Sequence, residues 1–274
     1  MKTVVETSPA AFLERAGDYL ERTALENNVA VGIAYRAVAR PDRYPGGFWS
    51  AIVEAPDVVA VAVQTPPWPL LVSPLPPGAA ASLAGVLRGR AITEATGPDD
   101  AVRALALELG FRVDPTFADR QRLYAMRTPP ARPAVHGALR VMNSADRDLA
   151  LRWLPAFDRD VGLSRPADDV ARALDLGIPD GLYYLWTDGD AVCMANRLET
   201  PPDGCRIGSV YTPPELRRRG YAGAIVAALT RHCFDRGAAW CCLYTQLDNP
   251  TSNSIYQKIG YRPVLDVVKL HLLG

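Results

Sequence analysis

The stretch Val210 to Leu229, VYTPPELRRRGYAGAIVAAL, gathers the residue types that bind phosphate groups. Two prolines lead into Arg217, Arg218 and Arg219. Gly220 follows, and then a run of small apolar side chains. Arginines are badly placed at the start of a helix, where the free amides and the dipole favour anions. The conflict disappears if the occupant is a pyrophosphate. The amides of the loop 212–219 and of the first turn after Gly220 then form an anion cradle. Gly220 lets the backbone approach a ligand with no side chain in the way, and Ala222 and Gly223 keep the first turn thin. The arginines add charge-assisted hydrogen bonds at the rim. The alternative is a solvated basic loop capping an ordinary helix.

A strand must deliver this loop and a helix must follow it. CRIGSVYT, ending with Val210 and Tyr211, reads as the strand, and Tyr221 to Arg236 as the helix, stopped by Gly237. Upstream, Ala138 to Met142 is extended. Asn143-Ser144 offers a cap for a helix running towards Val161, and a second helix starts near Pro166. LYYLWTD and AVCMANRLE flank Asp188-Gly189-Asp190 as a hairpin. Downstream come the strand AWCCLYTQ, a short helix from Thr251 to Ile259 and a last strand, VLDVVKLHLL. The order is β-α-α-β-β-β-α-β-α-β, a mixed α/β domain. The first half is fainter. It reads as a helix from Pro9 to Glu26 capped by Ser8, and strands 48–54, 58–64 and 70–73. Helices 79–90 and 99–109 follow, then extended chain from Arg120 to Arg127. The proline-rich TPPARPAVHG marks the boundary between residues 1–130 and 131–274.

Arg217-Arg218-Arg219-Gly220-Tyr221-Ala222 resembles the acetyl-coenzyme A signature Gln/Arg-x-x-Gly-x-Gly/Ala of the GCN5-related N-acetyltransferase (GNAT) superfamily. LYTQLDNPTSNSIYQKIGYRPV, Leu243 to Val264, strengthens the resemblance with Asn249, Tyr256 seven residues later, and Gly260-Tyr261. Together they look most like the FR47-like branch, over roughly Ala138 to Leu273. The resemblance implies a mixed-sheet GNAT fold, with residues 1–130 as a degenerate tandem copy. It implies acetyl-CoA as co-substrate, its pyrophosphate on Arg217 through Ala222 with Gly223 adjacent. Val210 and Tyr211 would also bind the cofactor, Thr245 and Gln246 lie on the strand where pantetheine contacts would occur, and Asn249 or Asn253 would bond to the arm or to local backbone. Tyr256 would stand near the thioester sulfur.

Acetyl transfer to an amine needs orientation, a route for the amine proton, and a proton or hydrogen bond for the leaving thiolate. Tyr256 is the candidate donor; a ring packed on the sheet is the alternative. Tyr261 reads as core. No base is assigned. CRIGSVYT holds no acid, Glu215 lies in the cofactor loop, and Asp188 and Asp190 read as turn formers. Tyr211, Glu199 and His136 stand as helpers, and water alone serves an amine that arrives partly neutral.

The 274 residues carry zero formal net charge, which gives no support to nucleic acid or an anionic membrane as partner. Five cysteines without CxxC spacing and three histidines offer no metal site and suit a reducing compartment. The N-terminus has no apolar signal core and no run is long enough to span a bilayer, so the cytoplasm is the default. The expected acceptor is a small-molecule amine, then a protein N-terminus; a homodimer stays open. The first half lacks the signature and is expected to wall the acceptor cleft or brace the second half. The competing reading is a catalytically silent CoA-binding module.

Overall fold

The computed structural model describes residues 1–274, with the Arg43 side chain outside the described set. The first half runs β1 (Lys2–Glu6), α1 (Pro9–Arg22), α2 (Asn28–Ala39), β2 (Phe48–Glu54), β3 (Asp57–Gln64), β4 (Leu70–Val72), α3 (Ala79–Leu87), β5 (Glu94–Gly97), α4 (Asp99–Leu109) and β6 (Arg112–Met126). The second runs β7 (Ala138–Val141), α5 (Arg147–Asp160), α6 (Ala167–Gly177), β8 (Tyr183–Asp188), β9 (Asp190–Thr200), β10 (Gly204–Tyr211), α7 (Tyr221–Asp235), β11 (Trp240–Gln246), α8 (Pro250–Ile259) and β12 (Arg262–Leu273). Each half has the order β-α-α-β-β-β-α-β-α-β.

The expected helix from Pro9 to Glu26 stops at Arg22. Ser8 caps its start, accepting from the Ala11 amide at 3.1 Å. The Thr23 hydroxyl donates to the Tyr19 carbonyl at the break, and α2 follows, unforeseen. Its sequence NVAVGIAYRAVA holds valines, an isoleucine and a glycine, all weak helix formers. Tertiary burial of Ala30, Val31, Ala34 and Ala37 overrides that weakness. Two short strands, β1 and β5, were also hidden, at five and four residues.

All strands join one 12-stranded sheet, in the order β1-β2-β3-β4-β5-β12-β6-β11-β10-β9-β8-β7. Within each half the senses match. β4 and β5 run parallel, as do β10 and β11, and the remaining neighbours are antiparallel. The final strands cross over. β6 pairs with β11 of the second half, and β12 pairs with β5 of the first. They also pair with each other, from Arg262 beside Ala125 to Leu273 beside Arg112. The chain boundary near residue 130 is therefore not the spatial one, because each half completes the other's sheet.

Helices cover both faces. On one, α7 packs Ile225, Val226 and Leu229 against Cys193, Cys205, Ile207 and Leu243. On the other, α5 and α6 bury Leu154, Val170 and Leu174 against Leu185 and Met194. Beside them the α1–α2 corner lays Ala24 and Leu25 on Leu123, Ala125, Trp240 and Cys242. The first half thus roofs part of the second half's sheet. All five cysteines are free and buried, and burial pushes the Cys193 and Cys242 thiols up to about 12. Among the described residues no helix is long and apolar enough to cross a membrane.

Candidate active site

β10 and β11 pair at Gly204–Trp240, Cys205–Cys241 and Arg206–Cys242, and no further. Beyond Arg206 the strands diverge. The ladder between β10 and β9 also breaks between Gly208 and Tyr211, where Ser209 adopts φ 48°. A non-glycine residue in that region marks a bulge that turns backbone groups out of the ladder. The result is a V-shaped opening with unpaired main-chain donors and acceptors on both edges, reaching Val210 on one side and Thr245 on the other.

The phosphate-type loop closes the wide end of this V. Pro214–Leu216 form a single 3-10 turn. Arg218 has φ 64° and Gly220 φ 85°. Gly220 occupies the cap position of α7, and no side chain caps the helix. The first-turn amides of Tyr221, Ala222 and Gly223 are free to receive an anion. A Cβ on Gly220 would lie 2.9 Å from Val135 Cγ2, so both the dihedral and the space require glycine.

The three arginines divide their work. Arg217 is structural: its Nε donates to the Thr212 carbonyl at 3.0 Å, and its Nη2 reaches Asp160 at the end of α5. Arg219 makes one long contact, 3.4 Å, to the Glu215 carbonyl. Arg218 and Arg219 are exposed beside the free amides. Two guanidiniums are thus available to an anion, and the third holds the loop.

The second segment supplies the far wall. Asn249 caps α8, its Oδ1 accepting from the Ser252 amide at 3.0 Å. Asn253 donates to the carbonyls of Gln246 and Asn249, and accepts from the Tyr124 hydroxyl at 2.9 Å. Both asparagines thus bond local groups, and through Tyr124 they tie the end of β11 to β6. Tyr256 lies on the α7 face, with its ring edge-on to Tyr261 at 6.3 Å. Tyr261 is fully buried core, bonded to Thr230. Burial pushes the Tyr256 phenol up to about 12. Its hydroxyl therefore keeps its proton at neutral pH. Thr245 and Tyr211 are both buried, and Tyr211 packs on Trp153.

Two acidic residues matter more than their positions suggest. Asp188 ends β8 at the hairpin, but its Oδ2 accepts from the Tyr221 hydroxyl at 2.7 Å and its Oδ1 meets His136 Nδ1 at 2.6 Å. It therefore fixes the first residue of α7. These bonds, the Tyr221 one first, hold its carboxyl below the ordinary 3.8. A lowered carboxyl gives stability that is present above the unfolded value and lost as pH falls through the folded one. Asp188→Asn is expected to lower stability to urea by a constant amount above about pH 5, with the gap shrinking towards pH 3. A pH-independent gap would contradict the ionised contact. Asp158, at 3% exposure, forms a two-pronged ion pair with Arg165 at 2.6 and 2.8 Å. It secures the α5–α6 turn, whose Val161 carbonyl accepts from Gln246 of β11 at 3.1 Å. Sequence spacing offers no sign of either contact, since the partners meet only through the fold. Glu199 pairs with Arg197 beside Cys205, at the closed end of the V.

The first half has the corresponding loop, SPLPPG, before α3. Gly78 has φ 82° and no side chain caps α3. Pro74, Pro76 and Pro77 carry no N–H, no arginine is present, and the Ala79 amide is taken by the Pro76 carbonyl at 3.0 Å, so the loop lacks the charge and most of the donors of its counterpart.

Residues 185–268 match the family model of the FR47-like proteins. No curated protein sequence matches the chain. Among solved structures, a Drosophila protein aligns over 98% of both chains with TM-score 0.67 and 13% identity. A GNAT-family acetyltransferase from Colwellia psychrerythraea aligns over 99% of both, with TM-score 0.61 and 12% identity. A GCN5-related N-acetyltransferase from Sphaerobacter thermophilus has TM-score 0.61 and 16% identity, over 98% of this chain and 94% of its own. At these identities the likeness is one of fold, and it extends over both halves.

Proposed function

We propose, from the match of residues 185–268 to the FR47-like family model and the likeness of fold to GNAT acetyltransferases, that the protein is an N-acetyltransferase. It moves the acetyl group of acetyl-CoA directly to an amine of a small molecule. Residues 131–274 act as the acetyl-CoA-binding domain, and residues 1–130 as a degenerate copy that completes the sheet. The carrying observation is the V between β10 and β11, opening beside an uncapped helix whose cap glycine has φ 85°.

The free amides of Tyr221, Ala222 and Gly223, with Arg218 and Arg219, suit a pyrophosphate. Bound acetyl-CoA supplies an acetyl carbon activated as a thioester. The unpaired edges at Val210 and Thr245 align that group, and the α5–α6 turn limits access of water. The acceptor nitrogen forms its bond to the acetyl carbon as the carbon–sulfur bond breaks. The sulfur leaves with the electron pair and the nitrogen loses a proton to water. At about 12, the Tyr256 phenol is a weaker acid than a thiol near 8.5. It stabilises the developing thiolate by hydrogen bonding, since full proton transfer is uphill by roughly 5 kcal/mol.

Tyr256→Phe is expected to lower kcat about 10- to 100-fold, with acetyl-CoA affinity changed by less than about threefold. Stopped-flow detection of the released thiol across an amine panel reads both. Unchanged kcat would remove Tyr256 from the mechanism. Acetyl-CoA binding without amine-dependent thiol release would favour a silent binding module.

A further inference from the structure

The face of the sheet opposite α7 holds a cavity of about 240 Å³ at the seam between the halves. Val29, Ala30, Val61, Leu71 and Leu265 give it an apolar body. Tyr244 and Gln121 line it where β11 meets β6, and both point away from α7, because Leu243 and Thr245 face the other way. Arg206 lines the same cavity. It stands two residues before Gly208, where the V opens.

Among the described residues Arg206 has no carboxylate partner. Its closest polar contact is a long one, 3.5 Å, to Asn28 Oδ1. The one acid on the lining, Glu26, is exposed at the rim and makes no ion pair with it. Desolvation lowers the Arg206 pKa, and the neighbouring Arg36 adds repulsion. A partly buried guanidinium without a counter-charge is costly. The cavity therefore offers an unpaired cation next to the point where β10 and β11 part.

We propose that this seam is the acceptor pocket and that the acceptor is an amine carrying a carboxylate, as in an amino acid. The planar fork of Arg206 binds the carboxylate, and the seam holds the side chain. This rests on the acetyl-transfer reading for its chemistry, which is the nitrogen–carbon bond formation and thiolate departure given above. It also gives the first half a role, since Val29, Ala30, Val61 and Leu71 come from it.

The test pairs the common free amino acids with their carboxamides as acceptors, using the full-length protein and acetyl-CoA. For the preferred side chain, kcat/KM is expected to favour the free acid by at least about 30-fold. Arg206→Met should reduce that preference to about threefold or less, and Arg206→Lys should retain part of it. Calorimetric titration with N-acetyl amino acids and their amides, with and without saturating CoA, reads the same preference without turnover. Equal handling of acid and amide by the wild-type protein, or binding of neither, overturns the proposal. Loss of acetyl-CoA binding instead strikes the acetyl-transfer reading, and the titration without CoA still reports on Arg206.

Discussion

Gly220→Asp is expected to raise the Kd for acetyl-CoA by at least about 100-fold, a loss of roughly 3 kcal/mol. Three effects act together. The backbone at φ 85° disfavours a side chain, although aspartate tolerates this region better than most. The new Cβ would press on Val135 Cγ2 from 2.9 Å. Above all, a carboxylate would occupy the point where the free amides of α7 await an anion, so that attraction turns into repulsion. The change sits on an exposed loop, so thermal melting should stay within a few degrees of wild type. Unchanged affinity in the folded variant would remove the pyrophosphate from this loop. Gly220→Ala separates strain from charge. It should weaken binding less, because it leaves the field at the helix terminus intact.

Asp158→Ala is expected to cost about 3–5 kcal/mol of stability. The two-pronged pair with Arg165 is almost fully buried on the aspartate side, and its loss strands a guanidinium between α5 and α6. The consequences reach the site. The α5–α6 turn holds Gln246 through the Val161 carbonyl, and Asp160 in the same helix holds Arg217. Urea denaturation measures the first effect and the acetyl-CoA KM the second. Asp158→Asn retains the shape and one acceptor oxygen, and should lose less. A loss under about 1 kcal/mol for Asp158→Ala would show that the pair contributes no more than a surface contact.

Legibility in the sequence followed the range of the interactions. Ser8, Asn143 and the glycines that end α7 and α8 act within a turn of their own position, so the second-half elements could be placed within a few residues. The loop 212–219, Gly220 and Tyr256 likewise stood out as candidates, because a basic run before a cap glycine and the spacing of Asn249 to Tyr256 are local features. α2 was hidden because its stability comes from what it packs against; its own residues favour helix weakly. The exchange of β6 and β12 was hidden because the partners lie more than a hundred positions apart, and nothing in either strand names its neighbour. Separation in sequence also hid the contacts of Asp188 with Tyr221, 33 positions apart, and of Asn253 with Tyr124, 129 positions apart. The arginine run was legible as a cluster but not in its division of labour. Only the fold brings Asp160 to Arg217. Arg206 looked like an ordinary strand residue, and its significance comes from the carboxylate partner it lacks.

The most direct test is calorimetric titration of the folded protein, shown to be free of copurified cofactor, with acetyl-CoA. Saturable binding at one site per chain with micromolar affinity, lost in Gly220→Asp, is the predicted result. Absence of saturable binding to the folded, cofactor-free chain would contradict it, and would leave a GNAT fold turned to another purpose.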